Sequence, residues 1–133
     1  EGIEIAKRNN LPDRVIDFIR THHGTSPTRY FYHKAKKEDE NIDKALFCYS
    51  GPKPYSKETA ILMMADSVEA ASKSLQEPTA EGIAKFVEKI IEEQAEENQF
   101  DDADISFREI ERIKKVLIEK LINAHHLREV YPE

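Results

Sequence analysis

A chain of 133 residues has the length of one ordinary domain, and 39% hydrophobic residues suffice for a core. A formal net charge of −6 opposes a broad footprint on a nucleic acid polymer, which needs a clustered basic face; local cations can still hold a phosphate. The single cysteine, Cys48, excludes an intrachain disulfide framework and fits a reducing cytosol as a passive small hydrophobe, and without CxxC or Cys-His clusters a structural zinc site lacks support.

The opening Glu1-Gly2-Ile3-Glu4-Ile5-Ala6-Lys7 carries neither an initiator Met nor a helix-start signal, and reads as a fragment cut just before or inside a helix. Pro12 suits a first helical position, and Leu11, Val15, Ile16 and Ile19 recur at helical spacing until Thr21-His22-His23-Gly24, where Gly24 is a natural stop. The histidine pair is thus expected at a helix C-terminus, where the chain turns away and adjacent side chains escape the ~100° separation imposed inside a helix. From Thr25 to Ser56, aromatic residues, the charge run Lys34 to Glu40 and the turn signal Gly51-Pro52-Lys53-Pro54 predict a mostly irregular connection with one short helix. A connection this long is usually functional, and it is the candidate substrate rim.

Ser56 is a plausible N-cap for a helix to about Leu75, with Ile61, Met64, Ala65, Val68, Ala71 and Leu75 as its apolar stripe and Asp66 beside it. Thr79 starts the next helix, whose core face is Ile83, Phe86, Val87, Ile90 and Ile91 before an acidic stretch, Glu92 to Glu97. Ser106-Phe107-Arg108-Glu109 is a capping box; Ile105 can staple against Ile110, and Ile113, Leu117 and Leu121 extend the buried side. Four helical segments, without a convincing alternating strand or a repeat, predict an all-α domain. The longest apolar run, Ala60 to Ala65, is six residues, far short of the ~20 needed to span a bilayer.

Two imidazoles side by side offer a metal two nitrogen ligands, but a histidine pair at a helix end also serves as a surface feature favoured by the helix dipole. Asp66, flanked by Met63, Met64, Ala65 and Val68, must be hydrogen-bonded, neutralised or metal-bound if buried, so a ligand role and a buried hydrogen-bonding role both stand. His125-His126 and His33 read as structural or solvent-facing. Asp101, Asp102 and Asp104 fail as a calcium loop, since Phe107 and Ile113 would occupy the required Gly and Glu positions. Walker loops, dinucleotide loops, nucleophile elbows and HExxH helices are absent, which leaves metal-assisted chemistry. Lys53 is mainly part of a turn, with a phosphate contact as its functional reading; Tyr30, Tyr32 and Tyr55 are either core aromatics or a platform for stacking on a base.

Several blocks carry a resemblance: Glu1-Gly2-Ile3-Glu4-Ile5-Ala6, Leu11-Pro12, Ile19-Arg20-Thr21-His22-His23-Gly24-Thr25, Gly51-Pro52-Lys53-Pro54, Ala65-Asp66-Ser67-Val68-Glu69-Ala70-Ala71 and Tyr131-Pro132-Glu133. In this order, over nearly the whole chain, they resemble the HD hydrolase domain of bacterial seven-transmembrane HD proteins. That resemblance implies an all-α HD-superfamily helical domain, incomplete at its N-terminal side, with residues 1–133 as its C-terminal portion. It also implies a cytoplasmic domain of a bacterial inner or plasma membrane protein, anchored through segments outside this stretch. The implied activity is metal-dependent phosphodiesterase chemistry on a cyclic dinucleotide, cyclic di-AMP to the linear dinucleotide, by a hydroxide activated between two divalent ions, iron or manganese.

By the same resemblance His22 and His23 bind one ion and Asp66 the other; the substrate-binding candidates, Tyr30, Lys53 and Tyr55, rest on their side-chain chemistry alone. The family's His-Asp doublet and two single histidines are missing and would lie upstream of Glu1, so the 133 residues alone are expected to be inactive and to bind catalytic metal poorly. His22-His23-Gly24-Thr25-Ser26-Pro27 departs from the HHE start and Gly-Tyr-Pro signature of the HD-GYP enzymes, which argues against cyclic di-GMP. The alternative is a degenerate, non-catalytic helical module that binds a nucleotide or transmits a signal in a membrane receptor.

Overall fold

Short-range hydrogen bonding sets where the three long helices begin. In the computed structural model, which describes residues 1–126, the Ser56 hydroxyl accepts the Thr59 N–H at 3.1 Å while Thr59 Oγ1 accepts the Ser56 N–H at 3.0 Å. This capping box starts helix α4 (Lys57–Ser72). Thr79 Oγ1 accepts the Gly82 N–H at 3.0 Å and starts α5 (Ala80–Glu96). A second box, Ser106 with Glu109 at 3.1 Å in both directions, starts α6 (Phe107–Ala124). Lys57 reaches Glu109 at 3.0 Å, so the first turns of α4 and α6 are tied together.

These three helices form the core. Ala60, Met63, Met64 and Val68 of α4 meet Ile83, Val87 and Ile91 of α5, closed off by Phe100 and by Ile110, Leu121 and Ile122 of α6. Each large apolar side chain buried there stabilises the fold by roughly 1.5–3 kcal/mol relative to exposure. Ile105, Ile113 and Leu117 pack against this cluster at its margin. Lys114 buries its stem among these helices and carries its ammonium out to two exposed carboxylates, 2.9 Å from Glu111 and 3.7 Å from Glu92.

Two shorter helices, α1 (Gly2–Arg8) and α2 (Asp13–Thr21), pack as a pair, and α2 lies on α4. Pro12 is the N-cap of α2 and precedes its first helical residue by one position. The segment after the histidine pair holds α3 (Arg29–Glu38) and a 3-10 turn, Lys44–Phe47. Helix α3 buries no residue, which explains why no apolar period announces it; it is held at its N-terminal end instead. The Thr28 N–H and hydroxyl both donate to Phe47 O at 2.7 Å, and Arg29 pairs with Glu93 and Glu97 of the α5 end. The described residues therefore carry six α-helices where the periodicity predicts four, and their only β pairing is the isolated bridge between Pro27 and Cys48.

Two burial expectations change. Ile61 is 41% exposed although it falls in the expected α4 stripe, whereas Met63 is fully buried, because α5 and α6 cover α4 along Ala60, Met63, Met64 and Val68. Phe86 and Ile90 are half-buried and open on a cavity beside the core. The block Tyr131-Pro132-Glu133 lies outside the described residues.

Ser106→Ala removes an N-cap acceptor and is expected to lower the unfolding free energy by about 1 kcal/mol, read as a shift in the urea midpoint at neutral pH. The Ser106 N–H, then Lys57, holds the Glu109 carboxyl below its ordinary range. Its share of the box is therefore present above that range and fades only as the pH falls through the lowered value.

Candidate metal centre

Helix α2 ends as expected: His22 is its C-cap and the chain reverses at once at Gly24, where φ is +52°. A Cβ at position 24 would overlap Gln99 Oε1 and come within 2.6 Å of Met63 Cε, so only glycine fits both the backbone sign and the space. Gln99, 1% exposed and placed in the loop after α5, grips the reversed chain. Its Oε1 accepts the Thr25 N–H at 2.9 Å, and its Nε2 donates to Thr25 Oγ1 at 3.0 Å and to Glu97 O at 3.1 Å.

This reversal sets both imidazoles. His22 Nδ1 lies 2.9 Å from Ile19 O and 3.2 Å from Phe18 O, so it carries the proton and donates to the helix end, which leaves Nε2 as the free lone pair. The His23 ring stacks on Tyr49 with centroids 4.4 Å apart and planes 10° from parallel, and lies 4.0 Å from the His22 ring. Tyr49 is held there because its N–H donates to Ser26 O at 3.0 Å. Burial lowers the proton affinity of His23, the neighbouring His22 lowers it further, and Asp66 partly offsets both. A neutral imidazole is the form that binds metal.

Packing of α2 on α4 brings Asp66 to this pair. One donor atom from each of His22, His23 and Asp66 lies within 4.8 Å of the other two, and they are the only such group of three metal-ligating side chains among the described residues. Asp66 is half-buried, on a flank of α4 that turns away from the Met63 and Met64 core, so it does not have the full apolar depth that its flanking residues suggest. An ion bound at ~2.1 Å to nitrogen and oxygen donors spaces neighbouring ligands by about 3 Å, so the group fits one ion after a small closure or two ions sharing the ligands. The donor set of two imidazoles and one carboxylate suits a divalent transition metal.

A cavity of about 610 Å³ opens beside the three residues and is lined by all of them. Its other walls come from α3 through Arg29 and His33, from α4 through Ser67, and from the face of α5 that carries Phe86, Lys89 and Gln94. Tyr30, Lys53 and Tyr55 do not line it. Tyr30 is 72% exposed and meets Phe31 edge to face; Lys53 is half-buried in its turn; Tyr55 donates its hydroxyl to Asp17, which raises its proton affinity. His33, read from the sequence as bland, reaches the cavity wall, and Gln99 and Tyr49 emerge as positioning residues that no motif announces.

No family model matches the chain. It is 42% identical over 133 residues to the cyclic-di-AMP phosphodiesterase PgpH of Listeria monocytogenes, covering all of this chain and 18% of that protein. It is 41% identical to PgpH of Bacillus subtilis, covering 19% of it. The crystal structure of the Listeria PgpH HD domain in complex with cyclic-di-AMP superposes with a TM-score of 0.88 at 42% identity, over 92% of this chain and 57% of that one. The chain is similar in sequence to part of PgpH and shares the fold of the matching part of its HD domain. It spans under a fifth of the length of these curated relatives, and a second crystal structure of the Listeria PgpH HD domain superposes with a TM-score of 0.86 at 42% identity, over 94% of this chain and 58% of that one.

In the metal-free protein, the His23 ring is expected to titrate below the ordinary histidine value. Proton NMR of the ring should show its midpoint rising in His22→Ala, which removes a like charge, and falling further in Asp66→Asn, which removes an attractive one. Gly24→Ala is expected to destabilise the fold by more than about 1 kcal/mol, measured by urea denaturation, through a strained positive φ and the overlap with Gln99 and Met63.

Proposed function

We propose that this chain is the C-terminal portion of an HD phosphodiesterase domain that converts a cyclic dinucleotide, cyclic di-AMP, into the linear dinucleotide. The observation that carries the reading is the meeting of His22, His23 and Asp66 at one cavity, on a fold that in the Listeria relative is found in complex with cyclic-di-AMP.

Two divalent ions, iron or manganese, are the proposed cofactors, with His22 and His23 holding one and Asp66 the other. Bound there, they would lower the pKa of coordinated water and offset negative charge developing on the phosphoryl oxygens. The chain's own contribution is positioning. The Nδ1–H of His22, anchored on the α2 carbonyls, directs Nε2 toward the cavity; Tyr49 fixes the plane of His23; Gln99 holds the turn that carries both. Three donors among the described residues are too few for two ions, so the site needs further ligands, and the proposal carries with it that the isolated chain is inactive and binds metal weakly. The resemblance to membrane-anchored HD proteins supports placement on the cytoplasmic side of a bacterial membrane through segments outside this stretch; no helix among the described residues is long and apolar enough to cross a membrane.

The test is an assay of the full-length protein loaded with manganese, with cyclic di-AMP beside cyclic di-GMP. Preferential turnover of cyclic di-AMP is expected, with a loss of at least about 100-fold in His22→Ala or Asp66→Ala and little change in far-UV circular dichroism. Absence of turnover in the metal-loaded wild type would remove the proposal.

A further inference from the structure

Helix α3 carries a surface that neither the core nor the metal centre uses. Over Arg29–Glu38 it sets four cations, Arg29, Lys34, Lys36 and Lys37, against one acid, Glu38, in a chain whose formal net charge is −6. Arg29 is committed to Glu93 and Glu97, and Lys36 leans over the Tyr32 ring with its ammonium 5.7 Å from the centroid. Lys34 and Lys37 are exposed and have no acid within 4 Å among the described residues.

Positions 30, 34 and 37 fall on one face of a helix, and Tyr30, Lys34 and Lys37 line a shallow depression together with His33. Phe31, 60% exposed, meets Tyr30 with ring centroids 5.4 Å apart, and Leu46, 74% exposed, stands on the 3-10 turn that packs against α3. None of Tyr30, Phe31, Lys34 and Lys37 lines the cavity beside His22, His23 and Asp66, so this face is separate from that site.

The combination selects the partner. Two rings held in water beside unpaired ammonium groups match the boundary of a bilayer, where aromatic side chains bury their rings below the headgroups while lysines meet phosphates above them. A nucleic acid polymer would need several turns of basic surface, whereas α3 is ten residues, about 15 Å, on an otherwise acidic chain. Glu38, Asp39 and Glu40 follow at its C-terminal end, which leaves the aromatic N-terminal turns as the end that a negative surface admits.

We propose that the Tyr30, Phe31, Lys34 and Lys37 face of α3 docks on an anionic lipid surface, with the two rings entering the headgroup boundary and the two lysines pairing with lipid phosphates. This docking is independent of the phosphodiesterase reading. Helix α3 buries no residue, so changes on its exposed face leave the core intact.

The experiment is lysine acetylation footprinting by mass spectrometry on the full-length protein, reconstituted with vesicles of phosphatidylcholine alone or of phosphatidylcholine and phosphatidylglycerol in equal parts. Acetylation of Lys34 and Lys37 is expected to slow about fivefold in the anionic bilayers relative to the neutral ones, while Lys85, exposed on α5, reacts alike in both. Phe31→Ser is expected to bring the two rates back to within about twofold of each other, because the ring supplies the apolar anchor. Equal reactivity of Lys34 and Lys37 in the two bilayers overturns the proposal, whether both stay free or another part of the protein or a second copy covers them. Protection that survives Phe31→Ser, or that RNA reproduces without phosphatidylglycerol, marks a general anion face and overturns it likewise. Turnover of cyclic di-AMP in the same preparation bears on the phosphodiesterase reading alone.

Discussion

The reversal of the chain at Gly24 is the constraint from which the site follows. A left-handed residue with no side chain lets the backbone leave α2 beneath Met63 and beside Gln99, and Gln99 then holds the next residue from a loop at the far end of α5. A buried amide suits this task because it offers an acceptor and two donors at once, and all three bonds are made to Thr25 and Glu97. The histidine pair is therefore oriented by the α5 end as much as by its own helix.

Helix α4 connects the core to the chemistry by dividing its surface three ways. Met63, Met64 and Val68 enter the core; Leu62 and Asp66 face α2 and His22; Ser67, Ala70 and Ala71 face the cavity. Any tilt of α4 that improved the core would move the carboxylate relative to the imidazoles. The capping box at Ser56 and the Lys57–Glu109 pair resist such movement at its N-terminal end, and the Gln94–Ser67 bond resists it beside the site. The C-terminal end of α5 acts on α3 in the same manner, since Glu93 and Glu97 fix Arg29 at the cavity mouth.

The electrostatics of the site favour a bound cation. His23 is biased toward its neutral, ligating form by burial and by His22, and the Nδ1 proton of His22 is engaged by the helix end so that Nε2 remains free. Asp66 adds the one carboxylate of the group. The cavity beyond is mixed in character, apolar along Phe86 and Ile90 with Lys89 on the same wall, which is the combination a nucleotide presents in reverse.

By itself the sequence determined the all-α class, the starts of α4, α5 and α6, the histidine pair at a helix end and the pairing of His22 and His23 with Asp66 through resemblance to HD domains. Those signals are local or periodic: Ser56, Thr79 and Ser106 bond within three residues of themselves, and a helical stripe is visible in a single segment. Only the tertiary structure decided that α3 is a helix without a buried face, that Ile61 is exposed while Phe86 borders a cavity, and that Gln99, Tyr49 and Lys89 surround the site. Each depends on contacts between residues far apart in the chain, as between Thr25 and Gln99, and a lone glutamine or lysine on a charged chain carries no local mark of the partner it will meet.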